Sequence, residues 1–157
     1  RSLKSKFNNM IKQPLALIFE RDLNKLKEEI NLYKEESNLW KIEKNISNSA
    51  GNLALHLIGN LNHFIGAVLG NTGYVREREK EFSAVNISRE FIIQNIDATI
   101  IMVKNVLLNL SDEALTSQFP EKKQGQEYPT SFILLHLLAH LEYHLGQINY
   151  HRRLTED

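Results

Sequence analysis

The histidines of this chain are the residues best suited to chemistry, because an imidazole nitrogen binds transition metals and exchanges protons near neutral pH. The 157 residues include six histidines, and four of them fall within the stretch Leu134–His151. Each residue of an α-helix advances by about 100°, so these four side chains lie within about 80° of one another around the axis. They are His136, His140, His144 and His151. The stretch therefore predicts a helix with a row of imidazoles that could hold a metal ion.

Within this row, a spacing of four residues creates two overlapping pairs. Two histidines four residues apart project from one helix face and differ by about 6 Å in rise, which is close enough to bind one ion. His136 pairs with His140, and His140 pairs with His144. The two outer histidines are about 12 Å apart along the axis and cannot share an ion. His140 therefore belongs to both pairs. The spacing leaves open whether His136 or His144 binds an ion together with it.

An earlier stretch supplies His56 and His63. Seven residues bring two side chains to within about 20° of each other on a helix, so one of these two can face the histidine row. A third imidazole would complete a three-histidine site with open positions, as in catalytic rather than structural metal centres. Gln147 lies on the same row and could orient a ligand or contact a bound water. In the alternative interpretation, the imidazoles only form hydrogen bonds with carbonyls and water.

The composition narrows the class of protein. Lysine plus arginine equals aspartate plus glutamate at 19 each, so the excess of positive charge typical of nucleic-acid binders is missing. The chain has no cysteine, which leaves histidines and carboxylates as metal ligands and fits a reducing cytoplasm. The longest apolar stretch near the start, Leu15–Phe19, is far too short for a membrane span. We therefore expect a soluble cytoplasmic protein that binds neither nucleic acid nor membrane.

Apolar residues recur at three- and four-residue steps along most of the chain, which predicts four long amphipathic helices. They run from Lys6 to Glu36, from a cap at Ser47 or Ser49 to Gly70, from a cap at Ser88 to Leu110, and from Pro129 through the histidine row. Four such helices in a chain of this size predict a single all-α domain over residues 1–157, a four-helix bundle. The two longer connections allow a topology other than simple up-down-up-down.

The segments between the helices carry their own predictions. Pro14 either kinks the first helix or marks its start. The linker Ser37–Ile46 carries Trp40 and Ile42, which we expect to cover one end of the core. The densely charged connection Tyr74–Ile87 is typical of a solvated loop or a short helical turn. Three glycines of the second helix indicate close packing against a neighbour or approach of the backbone to a bound group; they are Gly51, Gly59 and Gly66.

Three motifs resemble the DinB/YfiT-like superfamily, in particular a subgroup of small bacterial DinB-like proteins. They are HLxGNL at His56–Leu61, RxRxxEF at Arg76–Phe82 and HLxxHLxYHxGQI at His136–Ile148. The match covers about half of the chain. It implies an up-down-down-up bundle, often a homodimer, with a divalent metal held by one histidine of the second helix and two of the fourth.

Carried over to this sequence, the resemblance implies His56, His140 and His144 as the metal ligands. His136 and His63 then take supporting or structural roles. Some members of the superfamily transfer low-molecular-weight thiols such as bacillithiol or mycothiol, and many others have no known activity.

The first hypothesis is therefore a thiol S-transferase or hydrolase that uses zinc, nickel, iron or manganese and acts on a small molecule. Arg76 or Arg78 would bind an anionic group of the thiol or substrate, and Gln147 would assist. Glu81 stands in the same motif as the arginines without an assigned role. No catalytic residue is assigned. The alternative hypothesis is a non-catalytic bundle that binds metal or forms a dimer.

Overall fold

Long helices occupy most of the chain. A computed structural model describes the backbone of residues 3–156 and the side chains of residues 11–156. Within these residues it contains six α-helices, one 3₁₀-helix and one π-helical segment, and no strand. The elements are α1 Leu3–Asn31, the 3₁₀-helix Glu36–Trp40, α2 Ala50–Leu61 with its π-helical continuation Asn62–Leu69, α3 Arg78–Ser83, α4 Arg89–Asn109, α5 Asp112–Thr116 and α6 Thr130–Thr155. The all-α fold class is as predicted.

Serine side chains cap the N-termini of three of these helices. Each hydroxyl accepts a hydrogen bond from a backbone N–H that has no partner within the first turn. Ser49 caps α2 through the N–H of Asn52 at 3.1 Å, which decides between the two predicted caps. Ser88 caps α4 as predicted. The predicted end of the first helix at Glu36 is wrong: α1 ends at Asn31.

The linker after α1 differs in part from its prediction. The 3₁₀-helix buries Leu39 completely, and the Trp40 ring lies so close to Gly51 that a side chain there would collide with it at 2.7 Å. Ile42, by contrast, is 59% exposed and does not belong to the core. The proline is also inside α1, so Pro14 does not mark the start of the helix.

Four elements pack together around the core: α1, α2 with its continuation, α4 and α6. Helix α1 packs against α4 and α6, and α2 packs against the same two helices. Ion pairs give the directions of α1 relative to its neighbours: Lys27–Asp97 and Lys104–Glu20 to α4, and Arg21–Glu142 and Arg152–Glu29 to α6. The first two pairs make α1 antiparallel to α4, and the last two make it parallel to α6.

The second helix runs parallel to α4. Asn62 donates to the hydroxyl of Thr99 at 2.8 Å. Eight residues further on, Gly70 lies so close to Val106 that a Cβ on the glycine would be 2.5 Å from a valine methyl group. Two successive helices that run parallel need a connection that returns along the length of the first helix. Here that connection contains α3.

The charged connection is only partly solvated. It folds into α3, whose Glu81 side chain is buried with 6% of its surface exposed. Asn52 of α2 donates to the carbonyls of Glu81 and Ala84 at 3.0 and 2.8 Å, which fixes the end of α3 against α2. The prediction of a short helical turn is correct, but Glu81 points inward.

Among the described helices, α4 is long and apolar enough to cross a membrane by length and composition alone. This is weak evidence of a membrane span, because the core helix of a soluble protein passes the same test. A third of the apolar stretch is buried inside the fold.

Candidate metal centre

Helices α2 and α6 cross so that histidines from both meet between them. The Nε2 atom of His140 lies 3.2 Å from Nε2 of His56 and 3.1 Å from Nε2 of His144. One ring nitrogen from each histidine lies within 4.8 Å of the others. His56 is buried, and the other two are partly buried. The structure therefore brings together the three residues implied by the resemblance, with His144 and not His136 beside His140.

The Nδ1 atoms of His56 and His144, which point away from His140, each form a hydrogen bond with a neighbouring side chain. Nδ1 of His56 lies 2.9 Å from the carboxylate oxygen Oε2 of Glu81, so this nitrogen carries the hydrogen. Nδ1 of His144 donates to the amide oxygen of Gln147 at 2.6 Å. A neutral imidazole has one hydrogen, so Nε2 of each ring presents a lone pair. Both lone pairs are directed toward His140.

His140 cannot satisfy both of these lone pairs. A neutral imidazole has a single N–H, which can point to His56 or to His144 but not to both. Burial, followed by the charges of His144 and His56, lowers the pKa of His140 to about 3, so the ring is neutral at pH 7. Burial likewise lowers the pKa of His144. At least one pair of nitrogens therefore faces each other without a proton between them.

A divalent cation resolves this conflict, since three neutral Nε2 atoms would become its ligands. Zinc binds histidine nitrogen at about 2.0–2.1 Å, which places two ligand nitrogens roughly 3.3 Å apart at the tetrahedral angle. The nitrogen distances of 3.1 and 3.2 Å are close to this value. The residues present therefore fit a metal ion.

Glu81 and Arg76 support His56 from behind. Nε and Nη2 of Arg76 donate to the two oxygens of Glu81 at 2.7 and 2.9 Å, a two-bond pairing of high directional specificity. Burial alone would raise the pKa of Glu81, but the hydrogen bonds from His56 and Arg76 outweigh it and lower this pKa. The carboxylate is therefore ionised and holds the hydrogen of His56 on Nδ1.

Gly59 makes room for this carboxylate. A Cβ at position 59 would collide with Oε1 of Glu81 and would lie 2.7 Å from its carboxyl carbon. Gly59 follows His56 by one helical turn, so the glycine leaves the gap that Glu81 needs to reach the ring. The predicted close packing at this glycine thus serves the histidine site.

A family model described as "Protein of unknown function (DUF1572)" matches residues 15–157, which is nearly the whole chain. The chain belongs to the DUF1572 family. No curated protein matches it significantly. Membership therefore places the chain in a family without assigning it an activity.

The other three histidines of this DUF1572 protein lie outside the cluster. The ring of His136 stacks 6.5 Å from that of His140. His63 pairs with Glu121 at 3.1 Å. Nδ1 of His151 lies 2.7 Å from the hydroxyl of Tyr33, and its Nε2 lies 2.9 Å from a backbone carbonyl. His151 therefore matches the alternative interpretation of a histidine with a hydrogen-bonding role.

The three residues predicted to bind a cofactor, Arg76, Arg78 and Gln147, lie in different surroundings. Arg76 is turned toward Glu81, whereas Arg78 is exposed and lies over the ring of Phe82 at 5.2 Å. Gln147 contacts His144 from the exposed side. The sequence did not identify Glu81 as the partner of His56. The only signal was its place in RxRxxEF, where alternating charge also fits a solvated surface.

Two cavities flank the histidine cluster. One has a volume of about 560 Å³ and is bordered by His144 and Gln147, together with the exposed rings of Tyr143 and Tyr150. The other has a volume of about 230 Å³ and is bordered by His136 on the opposite side. A small molecule therefore has room beside the cluster.

Proposed function

We propose that this DUF1572 protein binds a divalent metal ion through His56, His140 and His144 and uses it in a thiol S-transferase or hydrolase reaction. The observation that carries the metal proposal is the position of His140. Its Nε2 lies 3.1–3.2 Å from two nitrogens that both present lone pairs. Three imidazoles leave open coordination positions, which favours a catalytic over a purely structural ion.

A divalent ion bound by this triad supplies Lewis acidity, which lowers the pKa of a thiol or water that reaches it. The chain's own residues prepare the ligands. Glu81 holds the hydrogen of His56 on Nδ1, and Gln147 does the same for His144. A thiol would have to be supplied as a small molecule, because the protein has no cysteine. The proposal thus includes a small-molecule substrate and a cytoplasmic location, where thiols stay reduced.

We further propose that the fold is a DinB-like four-helix bundle of up-down-down-up topology. The ion pairs described above support this order, since α1 is parallel to α6 and antiparallel to α4. Helix α2 is parallel to α4. Taking α1 as up, α2 and α4 run down and α6 runs up. This places the metal ligands on the adjacent antiparallel pair, α2 and α6.

Metal analysis followed by a turnover screen tests the proposed function. Protein purified without a histidine tag is expected to contain about one equivalent of zinc, nickel, iron or manganese by elemental analysis. It is then incubated with bacillithiol, mycothiol or glutathione and an electrophile such as monochlorobimane, and separately with p-nitrophenyl acetate. Turnover that disappears on chelation and returns with metal supports an enzyme. Bound metal without turnover in either assay supports a non-catalytic metal-binding bundle. Absence of metal contradicts both metal-dependent interpretations and leaves only a dimerising bundle without metal.

We also propose a homodimer formed through α6. Five apolar side chains of this helix are exposed although they fall within about 100° of one another over roughly 33 Å of helix; they are Phe132, Leu135, Tyr143, Tyr150 and Leu154. Gly146 lies in the same stripe, and a side chain there would meet nothing within 4 Å among the described residues. A glycine inside a helix costs about 0.8–1 kcal/mol relative to alanine. Close approach of a second α6 would account for it.

The substitution Tyr150→Glu tests this interface. Placing a charge within an apolar interface removes a favourable contact and leaves an unpaired buried carboxylate. We expect the wild-type protein to sediment as a dimer and Y150E as a monomer. Ile101→Glu on α4 is the matched control, since Ile101 is similarly exposed at 63%. A monomeric wild type, or dissociation by I101E and not by Y150E, would contradict an α6 dimer.

A further inference from the structure

The smaller cavity beside the metal centre has an apolar floor and a positively charged rim. Its walls are two phenylalanines and two aliphatic side chains, Phe64, Phe119, Ile133 and Leu137. Its volume of about 230 Å³ exceeds the roughly 150 Å³ that accommodates benzene in an apolar protein cavity. The cavity therefore has room for a six-membered ring with one small substituent.

A tight turn brings Lys123 to the rim. The backbone of Lys123 exchanges two hydrogen bonds with Gln126, at 2.8 and 2.9 Å. The two residues between them, Gln124 and Gly125, both have positive φ angles, of 51° and 78°. This left-handed pair closes a two-residue turn, for which glycine is well suited. The turn holds Lys123 against the cavity at half-buried depth.

Lys123 differs from its charged neighbours in having no partner. Glu121 is held by His63 at 3.1 Å, and Lys122 is paired with Glu127 at 3.2 Å. Within the described part of the chain, the ammonium group of Lys123 has neither an ion pair nor a hydrogen bond. Burial lowers its pKa, which reflects the cost of holding this charge away from water. An anion in the cavity would remove that cost.

His136 connects this cavity to the metal centre. It lines the cavity, and its ring stacks on that of His140 at 6.5 Å with an angle of 25° between the planes. A ring nitrogen of His136 can therefore form a hydrogen bond with a ligand in the cavity. A ligand in the cavity would lie within one helical turn of a metal ligand.

From these features we infer that the cavity binds a small monocarboxylate with an aromatic or branched aliphatic body, with the carboxylate on Lys123 and the body against Phe64 and Phe119. A single unpartnered cation matches a single negative charge. The nearby carboxylate of Glu121 disfavours dianions such as phosphate monoesters. The assignment of this ligand as substrate rests on the proposed function, whereas the binding itself does not require the metal.

Binding of 4-fluorobenzoate, followed by ¹⁹F NMR on chelator-treated protein, tests the inference. A charge-assisted hydrogen bond contributes enough that we expect Lys123→Met to weaken binding by about tenfold or more. Lys25→Met is the control, because Lys25 is an exposed lysine of α1 that pairs with Glu28 at 3.1 Å and does not line the cavity; this variant is expected to bind as the wild type does. The neutral analogue 4-fluorobenzamide needs no variant and is expected to bind wild-type protein about tenfold more weakly than the acid.

The outcomes separate this inference from the proposed function. Equal binding by K123M and K25M, equal binding of acid and amide, or no binding of the acid by wild-type protein would overturn the carboxylate site. Elemental analysis of the protein before chelation measures bound metal, and its result does not depend on the binding of the acid. Protein without metal that still binds the acid through Lys123 would contradict the metal proposal and support the carboxylate site, and the reverse pattern would do the opposite.

Discussion

Replacing His140 with alanine is expected to leave the protein without bound metal. His140 is the central member of the triad, because its Nε2 is the atom that approaches both other Nε2 atoms. Its loss leaves His56 and His144 as a two-ligand site. Loss of an outer hydrogen-bonding partner typically costs 10–100-fold in metal affinity. We expect loss of this ligand to cost at least about 100-fold, so that elemental analysis of purified H140A finds only background metal.

His136→Ala is the matched control for this experiment. It removes an imidazole one turn away on the same helix, whose ring lies outside the triad. We expect H136A to keep about one equivalent of metal. Metal retained by H140A, or lost equally from both variants, would contradict the assignment of His140 as a ligand.

Thermal unfolding separates a functional from a structural metal. Nδ1 of His140 is buried and has no hydrogen-bond partner among the described residues, so alanine breaks no bond on that side. For a functional metal, we expect chelated wild-type protein and H140A both to remain folded and to melt within a few degrees of each other. Added metal should raise the melting temperature of the wild type alone, since a ligand stabilises only the state that binds it. Collapse of H140A without metal would instead favour a structural ion.

The histidine spacing predicts much of this site but not all of it. Four-residue steps place His136, His140 and His144 in one row, and the choice of partner for His140 depends on how α6 is rotated and shifted against α2. Tertiary packing sets this rotation and shift of α6, and the periodicity of a single helix carries no information about them. Only the motif resemblance separates His144 from His136, and the structure agrees with it.

The buried carboxylate of Glu81, which forms a hydrogen bond with His56 of the triad, is harder to predict. In the sequence, Glu81 is one of several charges that alternate in sign, and the same pattern suits a solvated helix surface. Its burial depends on two distant residues: Gly59 leaves the space, and Asn52 anchors the end of α3. The end of α1 was predicted too late for a similar reason. The apolar spacing continues past Asn31 to Tyr33, whereas the helix ends at Asn31 and the chain turns into the 3₁₀-helix that buries Leu39.

Replacing Glu81 with alanine is expected to weaken both the fold and the metal site. The carboxylate pairs with Arg76 through two bonds, and the arginine side chain is only 12% exposed. Removing one partner of a buried ion pair leaves an uncompensated charge, at a cost of about 3–5 kcal/mol. Nδ1 of His56 also loses its acceptor, so we expect a further 10–100-fold loss in metal affinity. Chemical denaturation of the chelated protein and metal titration measure the two effects separately.

Glu79→Ala is the matched control, because Glu79 is an exposed carboxylate on the same short helix. We expect it to change neither quantity beyond about 0.5 kcal/mol, as for most surface substitutions. An E81A protein that behaves like E79A in both measurements would contradict the supporting role of Glu81.

Combining Glu81→Ala with Arg76→Ala separates the two contributions of the carboxylate. The stability loss in E81A comes mainly from the unpaired guanidinium, so removing Arg76 as well should recover part of it. The metal affinity depends on Glu81 through His56, and the second substitution does not restore an acceptor for Nδ1. We therefore expect the double variant to unfold at higher denaturant than E81A while binding metal as weakly as E81A does. Coupled recovery of both properties would instead mean that Arg76 acts on His56 directly, across the 3.3 Å that separates its Nη2 from Nδ1 of the ring.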